Sequence, residues 1–335
     1  NNTLNLLKKD NIIYKKNSIE AGYVETRQLK IDSTGQEYII VNGKFLTNYF
    51  DRRINWGIVN FNGTVENLMR KLVEDNCINP SNINRKIKNL ELGLYNNFKE
   101  IIEYQNSYGY ILNCLENISK TSDIGFVNRL DIKNKKIIFE LYKGANRTVN
   151  GDIAPCIFSR DFENILEQGY FESNNNYKNT CLIAGCGEGL ERKITSIETN
   201  KIGLDRYEMY IDARDIQDTK EVEKEDNDGN ITTEQIPIPL EEYNKLLTQR
   251  GQEKLKERKE IETFESTVNS NGNNVYKVDY DLGDMVTVVD KKWGIKVDSR
   301  ITEIAEIYEN ENISVIPVFG NNIPTLLDKI KQKIS

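Results

Sequence analysis

At 335 residues and 38.7 kDa the chain can fill two or three hydrophobic cores, since domains usually run to about 100–200 residues. Its 45 Lys and Arg against 52 Asp and Glu give a net charge of −7 and a pI near 5.1. That excludes a general nucleic-acid-binding surface, because affinity for phosphate backbones comes from clustered cations, and leaves only a local basic patch open.

The chain begins at Asn1, and a first strand-rich domain over residues 1–62, incomplete at its opening strand, is the expectation. Leu29 and Ile31 lead into the turn-rich segment Asp32 to Gln36, and Tyr38 to Val41 return as a hairpin. Phe45, Leu46, Tyr49, Phe50 and Arg53 then follow helical spacing. Asp51, Arg52 and Arg53 read as a solvated or interface-facing helix end. An α/β domain is expected over 63–143. Thr64 is placed as an N-cap, and Val65, Leu68, Met69, Leu72 and Val73 recur at the spacing of a helix that covers a core. Pro80 to Asn89 reads as a polar, basic connector. Ser107 is placed as the cap of a second helix with Tyr108, Ile111, Leu112, Leu115 and Ile118 on one face. A hairpin comes next, with Phe126, Leu130 and Ile132 before an Asn134–Lys135 turn and Ile137, Phe139 and Leu141 after it.

The remaining residues, 144–335, are assigned to a second β-rich domain. Gly144 to Asn176 looks like loop, with one helical turn at Asp161 to Leu166 and the aromatics Tyr170, Phe171 and Tyr177. Those rings suit ordinary loop packing or subunit contact better than a stacking platform, for want of basic neighbours. Cys181 to Ala184 reads as a strand that feeds a glycine turn at Gly185, Gly187 and Gly189, with Leu190 to Ile197 as the return. Tyr207, Met209, Ile211 and Ala213 alternate with Glu208, Tyr210, Asp212 and Arg214, one face buried and one wet. An acidic arm spans 218–236. Pro237 and Pro239 close it and open a long helix over 240–264 whose like-charge pairs leave packing to hold it. Met285 to Val289, Ile295 to Val297 and Ile313 to Val318 read as strands, whereas Arg300 to Tyr308 is open between a helix and a bulged strand, because Ile301, Ile304 and Ile307 are spaced by threes. A C-terminal helix is placed at 322–333, and with Ser335 shortly after it no appended catalytic domain is expected.

Four phrases carry a resemblance: YKNTCLIAGCGEGLER from Tyr177, GLDRYEMYIDARDI from Gly203, IIVNGKFLTNYFDRRI from Ile39, and DYDLGDMVTVVDKKWGI from Asp279. Taken in chain order they resemble a family of tail proteins from siphophages, the phages with long non-contractile tails. The resemblance covers nearly the whole chain. It implies an α+β, tail-hub-like fold in which two β-rich, barrel-like domains flank an inserted α/β domain, and it favours strand for Arg300 to Tyr308; the strand pattern itself reads as barrel-like over Leu4 to Val41 and Thr180 to Phe319. It also implies a structural component of the tail tip, made in the host bacterial cytoplasm and distantly similar to the trimeric hubs of contractile tails. Its partners would be other copies of itself and other tail proteins: a distal tail protein, a fibre or a lysin.

The search for chemistry finds little. The chain has no His, which removes the commonest general base and transition-metal ligand together with Ser-His and Cys-His nucleophile pairs. Cys77, Cys114, Cys156, Cys181 and Cys186 form an odd set without CxxC spacing and read as reduced core thiols. Asp226, Asn227, Asp228 and Asn230 offer oxygens to calcium but lack EF-hand spacing. GCGEG lacks the lysine of a phosphate-binding loop. No window reaches the roughly 18 apolar residues of a membrane span, and no signal-peptide pattern opens the chain. No catalytic, cofactor-binding or metal-ligating residue is therefore assigned. The alternative to a structural role is a tail-associated cell-wall glycan hydrolase, which needs only two carboxylates about 5–9.5 Å apart.

Overall fold

The computed structural model describes residues 2–16, 18–225, 231–269, 272–309 and 312–320. The expected opening hairpin is longer than its apolar residues announce. Strands Ala21–Ile31 and Glu37–Phe45 pair antiparallel, with Leu29 opposite Ile39. Asp32 shapes the link: its carboxylate accepts from the Thr34 hydroxyl at 2.6 Å, the Thr34 N–H at 2.8 Å and the Gln36 N–H at 3.0 Å. The Thr34 hydroxyl, then the Gln36 N–H, holds the acid down at about 2 against an ordinary value of 3.8. A depressed folded pKa means that the loop's contribution to stability is complete above the unfolded value and is lost as pH falls through the folded one. A carboxyl chemical-shift titration should therefore give Asp32 a midpoint near 2, moving upward in Thr34→Ala; an unshifted midpoint in the native protein would refute this loop.

The first domain differs from expectation. The chain opens on a short helix, Asn2–Leu6, and a short strand, Ile12–Tyr14, which completes a three-stranded sheet with the hairpin. Among the described residues this sheet has no separate core. Ala21, Tyr23, Leu46 and Phe50 pack in the same cluster as Val65, Leu68, Leu72, Ile111, Leu115 and Phe139, so the boundary expected at 62/63 does not divide two cores. The reason lies in strand Ile58–Thr64, which pairs along its length with Ile101–Ser107. The latter strand is hard to see in the sequence because it mixes buried Ile102, Tyr104 and Gln105 with exposed Ile101.

Helix Val65–Val73 forms as expected, with Thr64 accepting from the Asn67 N–H at 3.3 Å. The second helix runs Ile111–Ser122 and buries Ile111, Cys114, Leu115 and Ile118. Ser107 does not cap it; that residue ends a strand, and Tyr110 at the cap makes no side-chain bond. Strands Gly125–Asp131 and Lys136–Tyr142 form the expected hairpin, joined by Leu90–Leu92 in parallel.

Contacts divide the chain into two units. One contains the described residues of Asn1–Tyr142, Ile183–Thr195 and Asp212–Glu253; the other contains those of Lys143–Leu182, Ser196–Ile211 and the chain from Lys254 onward. In the first, Gln105 and Gln217 clasp each other. The Gln217 N–H donates to Gln105 Oε1 at 2.7 Å, and Gln105 Nε2 donates to the Gln217 carbonyl at 3.2 Å. Strands Thr219–Glu225 and Ile231–Pro237 pair antiparallel as the expected arm, whose tip, with the oxygens considered for calcium, lies outside the described residues. Helix Leu240–Lys256 comes next and buries Tyr243, Leu246, Leu247 and Gly251.

That helix is shorter than the expected 240–264. β-branched residues take over at Ile261–Val268, a strand that pairs antiparallel with Ile165–Ser173. The segment 144–176, expected as loop, thus supplies that strand and Ile157–Ser159. Both belong to the seven-stranded sheet of the second unit, ordered Ile157–Ser159, Met285–Asp290, Ile295–Glu309, Asn312–Gly320, Ile261–Val268, Ile165–Ser173, with Asn146–Arg147 beside Met285–Asp290. Its first and last strands are neighbours in sequence, and Gln168 on the last donates to Asp290 on the second. That bond brings the last strand back to the second, and in the core of this unit Phe158 meets Tyr280 edge-on at 5.1 Å and Phe319 at 4.8 Å. Ile301, Ile304 and Ile307 lie in one fifteen-residue strand; a register shift between Ile301 and Glu303 lets both Ile301 and Ile304 pack on the core, while Ile307 is exposed. The helix expected at 322–333 lies outside the described residues.

Candidate assembly surface

The glycine turn is a knot built for space. A Cβ on Gly185 would come within 2.4 Å of the Tyr243 hydroxyl, so only glycine admits that ring. The hydroxyl accepts from the Cys186 N–H at 2.9 Å and donates to the Ile216 carbonyl at 2.8 Å, tying helix Leu240–Lys256 to two loops. Burial, with Cys186 beside it, pushes this phenol well above its usual range. Arg192 closes the turn: it donates to the carbonyls of Gly185 and Ala184, each at 3.0 Å, and to Asp212 at 2.6 Å. Asp212 also accepts from Arg214 at 2.6 Å, and Arg214, ahead of Arg192, holds it well below the ordinary carboxylate range. Lys193 donates to Asp218 at 2.7 Å, 5.1 Å from the centre of the Tyr243 ring.

The return from this turn is not the strand expected from Leu190. Gly189–Glu191 form one turn of 3-10 helix, and the strand begins at Ile194. The same local structure recurs at Gly203–Asp205. In each, glycine holds positive φ, +53° at Gly189 and +58° at Gly203, and the N–H of the following arginine returns to the glycine carbonyl, at 3.4 Å from Arg192 and 3.3 Å from Arg206. Arg206 is held in turn by Glu198 at 2.8 Å and Glu208 at 2.5 Å. The leucine between glycine and acid stands in solvent: Leu190 is fully exposed and Leu204 is 96% exposed. The signal is present in the sequence as GLER and GLDR, twice the same four-residue pattern. Sequence reasoning misses it because one copy adjoins a strand and the other sits in a loop, so neither stands out by its own period.

Both turns are thus held by ion-paired arginines and leave a leucine in solvent. The profile of a family described as Siphovirus ReqiPepy6 Gp37-like protein matches residues 1–321. This chain belongs to that siphovirus tail protein family. No curated protein matches it in sequence. Its fold is similar to that of a tail protein from Neisseria meningitidis MC58, with TM-score 0.52 at 14% identity over 90% of this chain and 80% of that one. It is also similar to a 43 kDa tail protein of prophage MuSo2 from Shewanella oneidensis, with TM-score 0.54 at 12% identity over 93% and 84%.

Other residues singled out in the Gp37-like sequence are occupied with their own chain. The Tyr170 hydroxyl lies 3.1 Å from Glu172 and 3.2 Å from Glu262, and burial, then those acids, pushes it up to about 12. Tyr177 meets Tyr207 edge-on at 5.2 Å. Cys77, Cys114, Cys156 and Cys181 are buried and Cys186 half-buried, all as free thiols. Burial pushes Cys77 and Cys156 up to about 12, which makes them poor nucleophiles. Asp32, Asp131, Glu198, Asp212, Asp218 and Asp290 are all held below the ordinary carboxylate range, the opposite of what a general acid needs. Among the described residues no group of three or more Cys, Asp or Glu is placed to hold a metal, and no helix is long and apolar enough to cross a membrane.

Proposed function

We propose that this Gp37-like chain is the hub subunit of a tail tip, a trimer that joins the tail tube to a distal fibre or lysin. The observation that carries this reading is the pair of matched turns, each held by an ion-paired arginine and each leaving its leucine, Leu190 or Leu204, in solvent. Large apolar side chains displayed on rigid turns suit insertion into pockets of a partner. The seven-stranded sheet of the second unit supplies a barrel-like lobe for ring formation, and its function is to fit neighbours without reacting with them.

Tail assembly in cells that carry Leu190→Asp and Leu204→Asp tests the reading. The variant should fold, because both side chains are in solvent, yet yield particles without a complete tip; intact, infective tails would contradict it. The hydrolase alternative rests on Glu172 and Glu262, which share the Tyr170 hydroxyl. Release of sugar ends from purified cell wall, abolished by Glu172→Gln with Glu262→Gln, would replace the structural role with an enzymatic one.

A further inference from the structure

A cavity of about 550 Å³ opens in the first unit, and its wall is unusual for a chain of net charge −7. Six cations line it: Arg52, Arg53, Lys86, Lys88, Lys135 and Lys136. Among the described residues, two of them have carboxylate partners. Arg52 meets Asp10 at 3.1 Å and lies over the rings of Tyr23 and Tyr49, and Lys136 meets Glu91 at 2.8 Å. Arg53 donates to the carbonyls of Arg85 and Arg52, which leave its charge uncancelled. Lys86, Lys88 and Lys135 reach no carboxylate among the described residues. In the sequence these cations form separate short runs, at 52–53, 86–88 and 135–136. The fold gathers the connector, the end of the short helix Leu46–Arg52 and the turn of the hairpin around one opening.

Between the cations the wall is apolar, with Ile12, Tyr14, Ile87, Leu130, Ile132 and Ile137. Ile12–Tyr14 is moreover the edge strand of its sheet, so one side of its backbone pairs with no other strand among the described residues. Cations, apolar wall and a strand edge together suit an extended acidic polypeptide, which can add main-chain bonds at the edge while its carboxylates meet the lysines. A phosphodiester polymer would use the cations and leave the apolar wall and the edge without a role.

The same chain carries such a segment. Residues 218–236 contain seven acidic residues against two lysines, and Glu221, Glu223 and Glu225 fall at alternate positions of the strand Thr219–Glu225. We propose that the acidic arm of one copy docks in the basic cavity of a second copy. Arm and cavity are different surfaces, so the contact is head-to-tail, the kind that closes a ring when its rotation closes. The pairing deepens the hub reading above and rests on it only for the number of copies.

The test is the mass of the full chain in solution, by light scattering, over a range of protein and salt concentration. The wild type should self-associate and dissociate as salt screens the contact. Lys86→Glu with Lys88→Glu and Lys135→Glu reverses the cavity, and Glu221→Lys with Glu223→Lys and Glu225→Lys reverses the arm. Each set should weaken association by about a hundredfold or more, and both sets in one chain should restore it. Circular dichroism confirms that each variant is folded. A wild type that stays monomeric at every condition overturns the proposal, as does association unchanged by either reversal. Association broken by the cavity set and untouched by the arm set would assign the cavity to another acidic partner, and also overturns it. A chain found in tails that shows no charge-dependent association would sink this pairing and leave the tail role standing.

Discussion

Phe158→Ala is expected to lower the stability of the second unit by about 3–5 kcal/mol, the usual cost of removing a buried Phe and leaving its cavity. Phe158 is fully buried on the three-residue strand Ile157–Ser159, edge-on to Tyr280 and against Phe319. So short a strand contributes few ladder bonds, and its attachment depends on this ring. Trp293 belongs to the same unit, 6.4 Å from Phe264. Denaturant unfolding monitored by Trp293 fluorescence in a Trp56→Phe background measures the change. A loss below about 1 kcal/mol would mean that the sheet does not close on Phe158.

Tyr243→Phe is the second large effect. It removes one oxygen and strands two backbone groups, the Cys186 N–H and the Ile216 carbonyl. Each buried group left unpaired costs about 1–3 kcal/mol, so a total of about 2–6 kcal/mol is expected for the two. The loss belongs to the first unit, and Trp56 reports it when Trp293 is replaced by Phe. Hydrogen exchange should also quicken at Cys186 and Ala213. Wild-type stability in this variant would show that the glycine turn does not depend on the phenol.

What the sequence disclosed depended on whether a segment's own pattern decided its structure. Helix Val65–Val73 and the hairpin around Lys135 were legible because each carries a clean period and a local stop or start signal. Ile101–Ser107 and Ile165–Ser173 were not, because their pairing partners, Ile58–Thr64 and Ile261–Val268, are distant in the chain and dictate structure that the local residues do not. Helix Leu240–Lys256 was overrun for the related reason that strand pairing stops it from outside. The exposed leucines were missed although the GLER and GLDR repeat was visible, since exposure of a single apolar residue has no sequence signature. The basic cavity was illegible because its cations come from three distant runs.

The position of the chain in an assembled tail bears most directly on the claim that it is an architectural joint. Tails purified from producing cells, with the chain carrying a gold-labelled tag, can be imaged by electron microscopy. Label confined to the distal end of the tube, in several copies per particle, is the predicted result. Particles without label, or label found only on a soluble chain that degrades cell wall, would contradict it.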